Sequence, residues 1–192
     1  MIKKMIKGLL VKFKRIKNTF KFLMIPDLDA KKVLKDASAH LRIETTHNAK
    51  LILDSPCFAN EPNCTICVRD NAILEIGHNT FFNRNCIIVA REKISIGANC
   101  LFGPNVYICD HDHMFNQDTV FTDQFITRPV SIGEGSWIGA GCIILKGANI
   151  GKKCIIGAGS IITGNVPDGM IVVQKKTNTM YERECDVYGD EE

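Results

Sequence analysis

Isoleucine recurs at positions 132, 138, 144, 150, 156 and 162 without a miss. A strict period of six admits few folds. A helix repeats at about 3.6 residues and a plain strand at 2, so neither alone brings every sixth side chain inward. Four residues after each Ile stands a compact residue: Ser136, Cys142, Ala148, Cys154, Ser160 and Val166. Gly follows the Ile directly at 133, 139, 151 and 157, with Leu145 and Thr163 as the exceptions. The same phase runs earlier through Ile76, Phe82 and Ile88, then Ile96, Phe102 and Ile108, with Thr80, Cys86, Cys100 and Val106 at the compact positions. The step from Ile76 to Ile96 is three hexapeptides plus a two-residue insertion near Ala90-Arg91.

The pattern predicts a coil of short strands and turns, about 18 residues per round, in which each round buries its large side chains only by stacking on the next. At 192 residues the chain suits one domain with a real core. A hydrophobic share of 45% with 23% charged residues argues against disorder. Nine Cys is an odd number without framework spacing, and four fall on compact inward positions, so packing in a reducing cytoplasm is expected in place of a disulfide scaffold. Cys64-x-x-Cys67 is a lone pair, with no second CxxC or paired His to complete a zinc site.

The runs "SIGEGSWIGAGCIILKGANIGKKCIIGAGSIITGNVPDG" and "IGANCLFGPNVYICDHDH" resemble the hexapeptide-repeat acyltransferases, in the branch of sugar and xenobiotic O-acetyltransferases, over roughly residues 66–172. The resemblance implies an all-β fold, a left-handed parallel β-helix of triangular section. It also implies acetyl-coenzyme A as donor and a homotrimer with sites between neighbouring subunits. The expected organisation is a basic amphipathic helix over 1–25, the β-helix over 26–172 and a C-terminal segment with an acidic tail over 173–192.

Between Ile108 and Ile132 the phase continues formally at Met114, Val120 and Ile126, but Asp118 and Gln124 would have to point inward. Burying them without partners costs a few kcal/mol, so 114–130 reads as a loop extruded from the coil. Asp110-His111-Asp112-His113 stands at its start. Acetyl transfer to a hydroxyl needs a base, and neutral imidazole suits it. His113, ten residues after Gly103, matches the family's catalytic His, with His111 as the other candidate. Asp110 and Asp112 are expected to contact the acceptor or fix an imidazole tautomer. Three His on zinc, as in carbonic anhydrases of this shape, are not reproduced by His111, His113 and a stray His78, so no metal is expected.

Trp137 matches an aromatic beside the pantetheine arm in relatives. Gly139, Ala140, Ala158 and Gly159 are small enough for an extended ligand to run along the coil edge, and Thr163 is assigned to the same coenzyme strip. Several relatives place Ser where this chain has Ala140, which leaves a thioester oxyanion to a backbone N–H. Asn83 matches a family position that hydrogen-bonds a carbohydrate acceptor, and an αL turn explains an Asn there equally well. Beyond Pro167 the chain departs from its relatives, and Lys175 and Lys176 are candidates for the coenzyme phosphates.

Residues 1–25 hold eight of the 24 Lys and Arg and no acid, leaving 16 basic against 21 acidic groups elsewhere. Apolar residues at 2, 5, 6, 9, 10, 13, 16, 20 and 23 recur at helical spacing among them. Such a stripe over 1–24 packs on a neighbouring subunit or lies on an anionic membrane surface. No aromatic-rich groove accompanies the charge, which speaks against nucleic acid. Nothing resembles a spanning helix or a secretory signal, and a cytoplasmic protein, at most at the inner membrane face, is expected. The function so implied is acetyl transfer from acetyl-coenzyme A to a sugar hydroxyl in bacterial surface polysaccharide biosynthesis. The rivals are the same chemistry on an amino sugar, serine or antibiotic, or an inactive binding module.

Overall fold

The computed structural model describes residues 41–54, 59–60 and 63–175. The basic stripe over 1–24, Lys176 and the acidic tail therefore lie outside the described residues. The chain winds as a parallel β-helix with three faces, each a six-stranded parallel sheet. It visits the faces in fixed rotation. Arg42–Thr45 lies on the first, Lys50–Leu53 on the second and Ala59–Asn60 on the third; Thr65–Val68 then stacks directly on Arg42–Thr45. The rotation runs through six rounds to Ile161–Ile162, Asn165–Val166 and Ile171–Val172.

The sixfold residues fill the interior. Ile132, Ile138, Ile144, Ile150, Ile156 and Ile162 are all buried, as are Ser136, Cys142, Ala148, Cys154, Ser160 and Val166 at the corners. A buried hydroxyl is tolerated because it is satisfied. Ser136 Oγ donates to the Gly151 carbonyl at 2.9 Å and accepts from the Cys154 N–H at 3.0 Å. Thr80 does the same with Gly97 and Cys100 two rounds earlier in the same corner column.

Glycine after the Ile has a steric cause. A Cβ on Gly97 would stand 2.6 Å from Glu134 N, and one on Gly103 2.6 Å from Ala140 N. Only hydrogen fits where one round crosses the next. Two residues further on, the corner takes the left-handed conformation, filled by Asn79, Asn85, Asn99 and Asn105 in the earlier rounds and by Gly135, Gly141, Gly147, Gly159 and, as the exception, Lys153 in the later ones. Short polar side chains tolerate that conformation, and the Asn amides stack, Asn85 Nδ2 donating to Asn105 Oδ1 at 3.1 Å.

Two departures from the repeat shape the molecule. At Ala90-Arg91 the corner between strands Ile87–Ala90 and Lys93–Ile96 is only two residues long. In the next round the corresponding corner is replaced by an antiparallel hairpin, His111–Phe115 paired with Val120–Thr127. The excursion therefore starts at His111, earlier than the expected 114, and Val130 is already back in the core. Met114, Val120 and Ile126, which keep the phase on paper, are exposed.

Candidate functional site

The hairpin leaves the corner between the first and second faces, where Asp110 turns the chain outward. Asp110 is buried, and its carboxylate accepts the N–H of Arg91 at 2.8 Å and of Glu92 at 2.8 Å from the tight corner below. This corrects the expectation of an acceptor contact: the carboxylate caps two backbone donors of the short corner and faces no solvent. Its Oδ1 also lies 3.2 Å from His111 Nδ1. Asp112, on the opposite side of the strand, pairs with Lys146 Nζ at 2.6 Å, so it ties the hairpin to the next round.

His111 and His113 lie on one side of their strand, and both rings meet Phe125. The His113 centroid is 4.7 Å from the Phe125 centroid and tilted by 50°, and the His111 ring stands edge-on at 5.6 Å. His113 Nδ1 lies 2.9 Å from the Phe121 carbonyl. A carbonyl only accepts, so Nδ1 carries a proton, and in the neutral ring the lone pair is on Nε2. His113 is exposed, whereas the His111 side chain is 12% exposed. The pair thus presents one accessible basic nitrogen, on His113, with its tautomer set by the hairpin backbone.

A second group of candidates gathers at a different corner, between the third and first faces. There an open groove of about 500 Å³ is lined by Asn83, Leu101, Gly103, Pro104, Trp137 and Ala140. Trp137 is 51% exposed in an outward column with Leu101 and Ile155. Asn83 lies beside this groove with its Oδ1 on the Arg84 N–H at 2.8 Å. It is not the left-handed residue of its turn; Asn85 is. Ala140 and Ala158 are exposed on successive rounds of this corner. Gly159 holds the turn at φ 69° and donates to the Ala140 carbonyl at 2.8 Å.

Gly139 is corrected. It is buried, and a Cβ there would lie 2.6 Å from Ala158 N and 2.7 Å from the Ile156 carbonyl, so its smallness serves coil stacking and not a ligand. Thr163 is exposed but sits at the corner that carries the hairpin. Lys175 is exposed just beyond the last strand, Ile171–Val172. Among the described residues no group of three His, Cys, Asp or Glu side chains is placed to hold a metal ion. A larger hollow, about 650 Å³ beside Thr46, His47 and Asn71, contains none of these candidates.

Three residues around the hairpin escaped the sequence reading: Phe125, which meets both imidazoles, Arg91 on the Phe125 ring, and Lys146 on Asp112. Arg91 Cζ lies 3.4 Å from the Phe125 ring centroid, and burial pushes the Arg91 pKa down, with Arg69 nearby adding to it. The signals were the two-residue insertion at Ala90-Arg91 and the missing Gly at Leu145-Lys146. Behind the hairpin root, burial raises the pKa of the Cys109 thiol and pushes the Tyr107 hydroxyl up to about 12, which keeps both protonated at neutral pH.

The repeat matches two family models, the bacterial transferase hexapeptide (six repeats) over residues 129–164 and the hexapeptide repeat of succinyl-transferase over residues 93–109. The galactoside O-acetyltransferase of Lactococcus lactis is 34% identical over 111 residues, covering 55% of this chain and 54% of that protein. Nodulation protein L of Rhizobium meliloti is 39% identical over 100 residues, covering 52% of this chain and 55% of that one. The chain thus spans about half the length of the curated relatives it matches. Among solved structures, a hexapeptide-repeat acetyltransferase from Vibrio cholerae, complexed with acetyl coenzyme A, superposes with a TM-score of 0.50 at 20% identity, covering 84% of this chain and 81% of that one. That likeness shows the fold.

Proposed function

We propose that this chain, whose coil is built on the hexapeptide repeat of bacterial transferases, moves an acetyl group from acetyl-coenzyme A to a hydroxyl of a sugar. The observation that carries the proposal is the locked tautomer of His113. Its Nδ1–H is held by the Phe121 carbonyl, and Nε2 is accessible on an exposed ring. The sugar oxygen attacks the thioester carbonyl as its proton passes to His113 Nε2. The carbon–sulfur bond then breaks, and the departing thiolate takes that proton, giving the O-acetyl sugar and free coenzyme thiol. The galactoside O-acetyltransferase relative supports a sugar acceptor. We place that sugar in a surface polysaccharide or its precursor.

The donor is assigned to the groove beside Trp137, where Ala140 and Ala158 leave the corner's backbone open to an extended ligand. The base and this groove stand on different corners of one coil. A homotrimer, in which the hairpin of one copy meets the groove of the next, supplies the missing half of each site. Thr163, on the hairpin corner, then belongs to the same inter-copy cleft.

The test is a panel of galactosides, oligosaccharides and amino sugars incubated with acetyl-coenzyme A and followed by thiol release. Acceptor-dependent release with a base-labile ester product is expected. A base-stable amide product from amino sugars alone would move the acceptor to nitrogen, and no release with any acceptor would overturn the proposal.

A further inference from the structure

A general base must be held to within a fraction of an ångström to be useful, yet His113 sits on a two-stranded hairpin, which is marginal when isolated. The hairpin root is tied by backbone hydrogen bonds, Arg128 N–H to the Asp110 carbonyl at 2.9 Å and Gly147 N–H to the Arg128 carbonyl at 3.2 Å. Those bonds fix where the hairpin leaves the coil. They do not fix the tilt of the strand that bears the imidazoles.

Two side chains from neighbouring rounds reach the hairpin from opposite sides, one on each of its strands. From the round before, Arg91 lays its guanidinium 3.4 Å from the centroid of Phe125, the ring against which both imidazoles pack. From the round after, Lys146 Nζ takes Asp112 Oδ2 at 2.6 Å. Side chains alternate along a strand, so Asp112 points away from the side that His111, His113 and Phe125 share. Both clamping residues occupy places where the repeat breaks, Arg91 in the two-residue corner Arg91-Glu92 and Lys146 directly after Leu145, which stands where other rounds have Gly. Arg91 Nε is buried without a hydrogen-bond partner among the described residues. A side chain kept there despite an unsatisfied donor points to the ring contact as its purpose.

We propose that Arg91, acting through Phe125, and Lys146, acting through Asp112, are positioning residues that clamp the hairpin and set where His113 Nε2 stands. The proposal rests on His113 being the base. Neither side chain touches a reacting atom; each acts through a hairpin residue. The two contacts oppose each other, so releasing one lets the other pull the strand away from its working tilt.

The experiment uses the full chain with R91M, K146M, R91K and H113A. The readouts are kcat, KM for acetyl-coenzyme A, the melting temperature, and the imidazole nitrogen and Nδ1-proton NMR signals of His113. R91M and K146M are each expected to lower kcat by about 10- to 100-fold, the scale of an ångström-sized misplacement. KM for the coenzyme should change little, because neither Arg91 nor Lys146 lines the Trp137 groove. The His113 Nδ1-proton signal should broaden or disappear in both. R91K keeps a cation over the ring and should recover most of kcat, a rescue that a purely structural role does not require. The exchange D112K/K146D, which restores the pair with reversed charges, should recover activity relative to K146M. Unchanged kcat and unchanged His113 signals in R91M and K146M, with H113A inactive, overturn the clamp. If H113A itself keeps full activity, the base assignment fails separately, and the NMR arm alone then decides: a lost Nδ1 signal in R91M supports the clamp and an unchanged one refutes it.

Discussion

Replacing Gly97 with Ala tests what sets the spacing of the coil. A Cβ on Gly97 would lie 2.6 Å from Glu134 N, 2.8 Å from Glu134 Cα and 3.1 Å from Gly133 C, all backbone of the next round. Ordinary carbon contacts need about 3.5 Å, so the two rounds must part locally by close to 1 Å. The Gly97 N–H to Ile132 carbonyl bond, 2.8 Å long, bridges the same two rounds and would be stretched past the useful range of about 3.2 Å. Overpacking in a tight interior costs about 1–3 kcal/mol, and the weakened hydrogen bond adds about 1 kcal/mol. For a chain of this size each kcal/mol lowers the melting temperature by about 2–4 °C, so G97A should melt roughly 5–15 °C below the parent. Two controls separate sterics from backbone preference. Gly141 has φ +66° with nothing within 4 Å of its Cβ position, so G141A should cost about 1–2 kcal/mol from the left-handed conformation alone. Gly164 has neither a close neighbour nor a left-handed φ, so G164A should be neutral or stabilise by up to about 1 kcal/mol. Circular dichroism melts of the three read out the order. Equal melting temperatures for G97A and G164A would refute close coil crossing as the reason for the glycine.

Further expectations follow from the same geometry. H113A should lower kcat by roughly 10²–10⁴ with little change in coenzyme KM, and H111A should be milder; equal small losses would contradict the assignment of the base. S136A leaves the half-buried Gly151 carbonyl and the buried Cys154 N–H without their side-chain partner and should destabilise by about 1–3 kcal/mol in urea titrations. Tyr107 loses its proton near 12 in the folded state against about 10 unfolded, because burial disfavours the phenolate. Its contribution is therefore intact below pH 10 and is lost as pH rises from 10 through 12. An absorbance titration at alkaline pH should show a late phenolate step that Y107F removes.

The inward face of the coil was legible because only a six-residue period places Ile132 through Ile162 on one interior, and its compact corners could be read with it. The meaning of the glycines was half legible. Gly139 looks small for a ligand in sequence, but the atom its Cβ would strike belongs to Ala158, which only the stacking of rounds reveals. The left-handed corners escaped notice because the earlier rounds fill them with Asn and the later ones with Gly, or with Lys at 153, so no single residue type recurs. The Asp-His-Asp-His run announced chemistry, and alternation put both imidazoles on one side of a strand. It did not announce that Asp110 is consumed by the corner one round below, a contact 18 and 19 residues away in sequence. Arg91, Phe125 and Lys146 come together only when three separate rounds and a hairpin are stacked.

The central claim is that each site joins the hairpin of one copy to the groove of another, and subunit mixing tests it most directly. H113A and W137A, each inactive alone, are combined by co-expression or by refolding as a mixture, and acetyl transfer is measured. With random assembly of a ring, a site is complete only when its hairpin comes from a W137A copy and its groove from an H113A copy. That restores about a quarter of parental activity at equal doses. No recovery from mixtures shown to contain both variants in one oligomer would place base and groove in the same chain and contradict the account.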